Sequence, residues 1–252
     1  MKRYNQDLLM LHIFDSIDSL LPALADFVVA QAKNSIQREG RFSFVLSGGS
    51  SPKRLYELLA SGKYRKQIEW EKVFFFFGDE RFVPATHPDS NYLMAKKTLF
   101  DPLNISQSQI YPVNTRVPPA ESAHSYQNNL LTYFNGNPER FDLILLGLGE
   151  NAHTASLFPH NSLLNEKKAL VKEAFIEEVK MYRITFTAPL INQAGVVAFL
   201  VYGPSKAEAV QHILEGKTAI EEFPAQLIRP QTGEVHWFLD KDAAGNLEGN
   251  PD

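Results

Sequence analysis

A histidine stands at the end of a glycine-punctuated loop: Gly147-Leu148-Gly149-Glu150-Asn151-Ala152-His153 follows the apolar run Phe141 to Leu146. An imidazole placed there, flanked by Glu150, Asn151 and Thr154, reads as a positioned acid/base group titrating near neutrality. A purely structural histidine is the plainer alternative. The same residues formally match G-x-G-x-x-G/A, the dinucleotide fingerprint, but the acidic residue expected ~20 positions later is not cleanly placed. The other histidines (His12, His87, His124, His160, His212, His236) show no metal-ligand spacing, so no metal is expected.

Four further features could bind an anion. Ser47-Gly48-Gly49-Ser50-Ser51-Pro52 joins an apolar run to a helical pattern; its glycines allow close backbone approach, and a helix start presents free N–H groups suited to phosphate. A tight turn with a serine cap is the alternative. No Walker frame and no G-x-S-x-G elbow occurs there. Gly78-Asp79-Glu80-Arg81 ends a run of four phenylalanines, so Arg81 reads as a fixed fork for phosphate or carboxylate, against a surface ion pair of little consequence. Arg183 opens a strand-like segment. Lys206 follows Gly203-Pro204-Ser205 in the first turn of a helical pattern, where a cation opposes the helix dipole; that suggests a ligand, a solvated lysine being the common case.

The elements that must position these loops alternate in type. Apolar strand patterns at Leu9 to Phe14, Phe42 to Leu46, Val73 to Phe77, Phe141 to Leu146, Arg183 to Thr187, Val196 to Val201 and Val235 to Leu239 are separated by helical spacings. The helical stretches run from Leu20 to Gly40, after Pro52, over Asn91 to Phe100 behind a cap at Asp89 or Ser90, between Ala120 and Phe134, and from Ala207 to Leu214. Continuous apolar strands between helices predict an α/β fold: a three-layer, doubly wound, mostly parallel sheet with helices on both faces. In such sheets ligands bind at the carboxyl ends of strands, where the polar loops stand, so they should converge on one cleft.

Composition sets the outer limits. The 252 residues carry 25 Lys and Arg against 29 Asp and Glu, a formal charge of −4, with no cysteine. A mildly acidic chain is a poor partner for nucleic acid or a membrane surface. Lack of cysteine removes disulfides, thiolate metal sites and cysteine nucleophiles, and suits a cytoplasmic location. The N-terminus does not read as a signal peptide, and no apolar run approaches the ~20 residues that span a bilayer. One domain over residues 1–242 is expected, with 243–252 as a polar tail that frays.

Taken together, the segments LSGGSSPKRLYELLA, FFFFGDERFVPATHPDSNYLMAKKTLF, FDLILLGLGENAHTASLFP, RITFTAPLINQA, VYGPSKAEAV and FPAQLIRPQTGEVHWFLD resemble the glucosamine-6-phosphate isomerase/6-phosphogluconolactonase family over nearly the whole chain. Arg81 and the TASLFP after His153 look like the lactonase branch; the deaminase branch typically has Tyr where Arg81 stands. The resemblance implies a Rossmann-type sugar-phosphate isomerase/lactonase fold and hydrolysis of 6-phospho-D-glucono-1,5-lactone without cofactor, in the oxidative pentose phosphate pathway. It also implies a small sugar-phosphate lactone as partner and a monomer or small homo-oligomer. By carry-over His153 is the acid/base group, and the Ser47–Ser51 loop, Asp79, Arg81, Arg183 and Lys206 surround the substrate.

The chain departs from the family pattern G-x-G-x-D-G-H at two positions, Asn151 and Ala152. An amide can orient His153 but cannot stabilise an imidazolium by charge. Glu150 is the neighbouring carboxylate that could supply it. Ala152 in place of glycine suggests that no positive φ is needed there. A glucosamine-6-phosphate deaminase-like isomerase and a non-catalytic sugar-phosphate binder are the competing readings.

Overall fold

The computed structural model describes residues 9–248. Its first strand, β1 (Leu9–Phe14), leads into α1 (Ile17–Glu39), which stops at Gly40 in the left-handed conformation. Then come β2 (Phe42–Leu46), α2 (Ser50–Leu59), β3 (Val73–Phe77) and β4 (Asp79–Arg81). Helix α3 (Asn91–Ala95) runs on through a wide π turn into α4 (Asp101–Leu103). The second half contains α5 (Pro119–Phe134), β5 (Leu143–Leu146), β6 (Val171–Ile176), β7 (Met181–Phe186) and α6 (Ala188–Ile191), then β8 (Val196–Val201), α7 (Ala207–Leu214) and β9 (Glu234–Asp240).

Among the described residues six strands form one sheet in the order β1-β9-β8-β5-β2-β3, every pair parallel. Because successive strand residues face opposite sides, each central strand feeds two cores. Phe42, Phe44, Leu46, Leu143, Leu145, Ala198 and Leu200 pack with α1, α2 and α3. Val45, Ile144, Leu146, Val197, Phe199 and Val201 pack on the other side with α5, α6 and α7. The doubly wound three-layer expectation holds. Apolar runs on both faces are what burial on both faces requires.

A second sheet was not anticipated. Strands β4, β7 and β6 pair antiparallel, with Arg81 opposite Arg183 and Lys172 opposite Thr185. The reading of Arg183 to Thr187 as part of one main sheet is corrected accordingly, and Arg183 stands third in its strand rather than opening it. These strands are short and carry charge, so they lack the apolar run that marked the others.

The C-terminal expectation also changes. Ala243 and Ala244 are fully buried and Leu247 is 8% exposed, while the Ala243 N–H donates to Asp240 Oδ1 at 2.8 Å. The chain therefore remains packed past residue 242; residues 249–252 and the first eight lie outside the described ones. Among the described residues no helix is long and apolar enough to cross a membrane.

Candidate active site

From β2 the chain moves outward to β3, whereas from β5 it moves the opposite way to β8, so these neighbouring strands mark the point where the winding reverses. Their following loops must part, and a crevice opens at the carboxyl ends. A cleft of about 310 Å³ lies there, lined by Ser47, Gly48, Gly49, Ser50, Ser51, Asp79, Arg81, His153, Arg183 and Lys206. Ten expected site residues thus come together. Glu150 and Asn151 stand outside its lining.

The floor is fixed by a buried phenol. Tyr56 Oη accepts from the Ser47 N–H at 2.9 Å and donates to the Ser47 carbonyl at 2.8 Å, which splices the end of β2 to α2. Burial pushes the phenol pKa far up, so it stays a neutral donor. Tyr56→Phe leaves two buried backbone groups unpaired, and a loss of about 1–3 kcal/mol is expected in urea unfolding. A neighbouring glycine is set by packing: a Cβ on Gly48 would lie 1.9 Å from Asn91 Oδ1. Asn91 in turn donates to the Asp79 carbonyl at 2.8 Å.

His153 follows a tight turn in which the Gly149 N–H donates to the His153 carbonyl at 2.8 Å and the Ala152 N–H to the Gly149 carbonyl at 3.0 Å. A turn closed by a Thr154–Leu157 bridge follows His153, not the helix a dinucleotide fingerprint opens, which removes that formal match. One expectation fails here: Ala152 does adopt a positive φ, 61°, against the inference drawn from its side chain. Ala152 is 1% exposed within the core, and burying its methyl, worth about 0.8 kcal/mol, offsets part of a conformation costing about 1–2 kcal/mol.

The imidazole stacks on Phe158 with centroids 3.9 Å apart and planes 12° off parallel. Its Nδ1 lies 2.6 Å from Asn151 Oδ1, an acceptor only, so Nδ1 carries the hydrogen and Nε2 is left as the basic atom. Burial lowers the His153 pKa to about 4, with Asp79 opposing and Arg183, Lys206 and Arg81 reinforcing the shift. The expected titration near neutrality is corrected by this burial, and the ring is a neutral base at pH 7. Glu150 does not supply its carboxylate: no hydrogen bond joins them, and the Glu150 charge acts instead on Lys206, opposing the downward shift that burial imposes there.

Positive charge is concentrated opposite. Arg81 and Arg183 occupy facing register positions on β4 and β7, a like-charge pairing that costs stability unless something anionic sits between. Both Nε atoms are buried without a hydrogen-bond partner, while Arg81 is braced by its Nη1 donating to the Asp89 carbonyl at 2.8 Å. Burial lowers the Arg183 pKa, and Asp79 counters it. Asp79 is held in place by Ser156 Oγ, which donates at 2.7 Å. Lys206 sits immediately before α7, its charge against the helix dipole as expected. Phe158, Ser156 and Asn91 escaped the sequence reading because stacking and carboxylate bracing leave no local signal. Among the described residues no group of three or more His, Asp or Glu side chains is placed to hold a metal.

The comparisons with known proteins point one way. Residues 15–237 match the family model described as glucosamine-6-phosphate isomerases/6-phosphogluconolactonase. The chain is similar to a 6-phosphogluconolactonase of Synechocystis sp., 42% identical over 224 residues, covering 87% of this chain and 90% of that one. A 6-phosphogluconolactonase of Nostoc sp. is 40% identical over 233 residues, covering 91% and 94%. Among solved structures, the 6-phosphogluconolactonase from Trypanosoma cruzi superposes with a TM-score of 0.85 at 29% identity, covering 95% of this chain and 97% of that one.

Proposed function

Since the chain belongs to the glucosamine-6-phosphate isomerase/6-phosphogluconolactonase family, we propose that it hydrolyses 6-phospho-D-glucono-1,5-lactone to 6-phospho-D-gluconate, with His153 as the acid/base group. The observation that carries this reading is a neutral imidazole, its basic nitrogen free, in a cleft it shares with Arg81, Arg183 and Lys206. His153 Nε2 takes a proton from water as the water oxygen bonds to C1. The resulting oxyanion is stabilised by the cationic cleft. As the bond from C1 to the ring oxygen breaks, the imidazolium returns its proton to that oxygen. Arg81, Arg183, Lys206 and the N–H groups at the start of α2, with Ser47 to Ser51, supply the binding energy for the phosphate. Phosphate held away from the reacting carbon positions C1 without entering the chemistry. Water is the only co-reactant this hydrolysis requires, and every step above is assigned to side chains of the cleft. The absence of cysteine supports a cytoplasmic setting.

The direct test is 6-phosphogluconate formation above the spontaneous background at slightly acidic pH, run beside ammonia release from glucosamine 6-phosphate. Lactone turnover supports the proposal. Ammonia release would replace it with the deaminase reading, and tight product binding without turnover with the binder reading.

The electrostatics predict a specific titration. In the free protein the His153 NMR signals should titrate with a midpoint near pH 4 rather than at the ordinary 6.5. Bound 6-phosphogluconate should move that midpoint up, because its phosphate offsets the cations that help hold it down. The stability consequence has a fixed sign. With the folded pKa below the unfolded one, the unfolded chain binds the extra proton, so stability falls as pH drops from 6.5 towards 4.

A further inference from the structure

We propose that Glu178, at the tip of the β6–β7 hairpin, is a positioning residue for His153: it fixes the Asn151 amide so that Oδ1 faces the imidazole Nδ1–H. This rests on the reading of His153 as the base. Asn151 Nδ2 donates to Glu178 Oε2 at 2.8 Å, while Asn151 Oδ1 accepts from His153 Nδ1 at 2.6 Å and from the His153 backbone N–H at 3.3 Å. The three contacts form a relay from an exposed carboxylate, through an amide, to the buried edge of the ring.

An amide alone is ambiguous, since rotation by half a turn exchanges its donor and acceptor ends. Turned over, Asn151 would set its oxygen against the Glu178 carboxylate and its NH₂ against the His153 amide N–H. It would then hydrogen-bond to Nδ1 only in the tautomer that protonates Nε2, and that tautomer cannot accept a proton from water at Nε2. An oxygen acceptor at residue 178 faces the Nδ2 end of the amide, so Glu178 removes the ambiguity by giving that end its partner. It acts through geometry. The charges that shift His153 are those of Asp79, Arg183, Lys206 and Arg81, not its own.

The placement is built rather than incidental. A 3-10 turn over Glu177–Val179 ends at Lys180, whose φ of 48° reverses the chain, and Lys180 Nζ is tied to Glu177 Oε2 at 2.8 Å. That leaves Glu178 for Asn151, 27 residues away in sequence. The same hairpin carries Arg183 to the cleft on β7, so one element delivers a substrate cation and orients the base.

The test uses the intact protein labelled with ¹⁵N-histidine, the His153 resonances being assigned by their disappearance in His153→Gln. Wild type and Glu178→Gln, whose Oε1 can still accept from Asn151, should both show the Nδ1–H tautomer at pH 7.5. Glu178→Ala should shift the signals towards the Nε2–H form and lower kcat about 10-fold at unchanged KM, a fraction of what a positioned base contributes. Glu178→Gln should restore both. The proposal is overturned by an Nε2–H tautomer in wild type, by an unchanged tautomer and kcat in Glu178→Ala, or by equal damage in both variants. Should wild type hydrolyse no lactone, the functional reading fails while the tautomer shift still decides this inference.

Discussion

His153→Gln is expected to lower kcat for lactone hydrolysis by about 10²–10⁴-fold, the range a positioned general acid/base supplies, while KM changes little. Glutamine occupies similar space beside Phe158 and keeps a polar end, but it has no lone pair that can take a proton at neutral pH. The split between the two constants follows from the cleft's division of labour. Arg81 and Arg183 meet across β4 and β7, and neither depends on the imidazole for its placement. Product binding by calorimetry should therefore survive the substitution. Folding should survive too, because at pH 7 the wild-type ring is already neutral and no ion pair is lost. A variant that kept the wild-type rate would show that the proton leaves water by another route.

The contrast between what the sequence carried and what it did not has a physical basis. Ser47 to Ser51, Arg81, His153 and Lys206 were legible because each follows a buried parallel strand, and such strands are long apolar runs that end abruptly in polar residues. The antiparallel strands β4 and β6 have three and six residues, with charges at Asp79, Glu80, Arg81, Lys172 and Glu173, so their periodicity was hidden. Glu178 was out of reach because its role depends on a hairpin tip meeting a loop 27 positions earlier. The positive φ at Ala152 contradicted local preference: the turn that aims His153 and the buried methyl together outweigh it. Packing likewise decided the fate of Ala243 and Ala244, whose polar neighbours suggested a loose end.

Gly149→Ala should cost nearly as much activity as removing the imidazole, and through space rather than chemistry. A Cβ at this position would stand 2.1 Å from His153 Nδ1, 2.3 Å from Cε1 and 2.8 Å from Asn151 Oδ1. Real carbon atoms do not approach so closely, so either the ring or the loop must move. The ring is wedged against Phe158 at 3.9 Å, and its Nδ1 is held by Asn151, so it cannot retreat and keep its hydrogen bond. Displacing a reacting group by roughly 1 Å costs about 10²-fold, and here the loss of the Asn151 contact adds a disordered tautomer. Gly149 does not have a positive φ, so the backbone itself tolerates alanine and the fold should persist. Near-wild-type unfolding together with a loss of at least about 10² in kcat is the expected pair of results. An active Gly149→Ala enzyme would mean that His153 works from a different rotamer, and the relay through Asn151 would then have no part in catalysis.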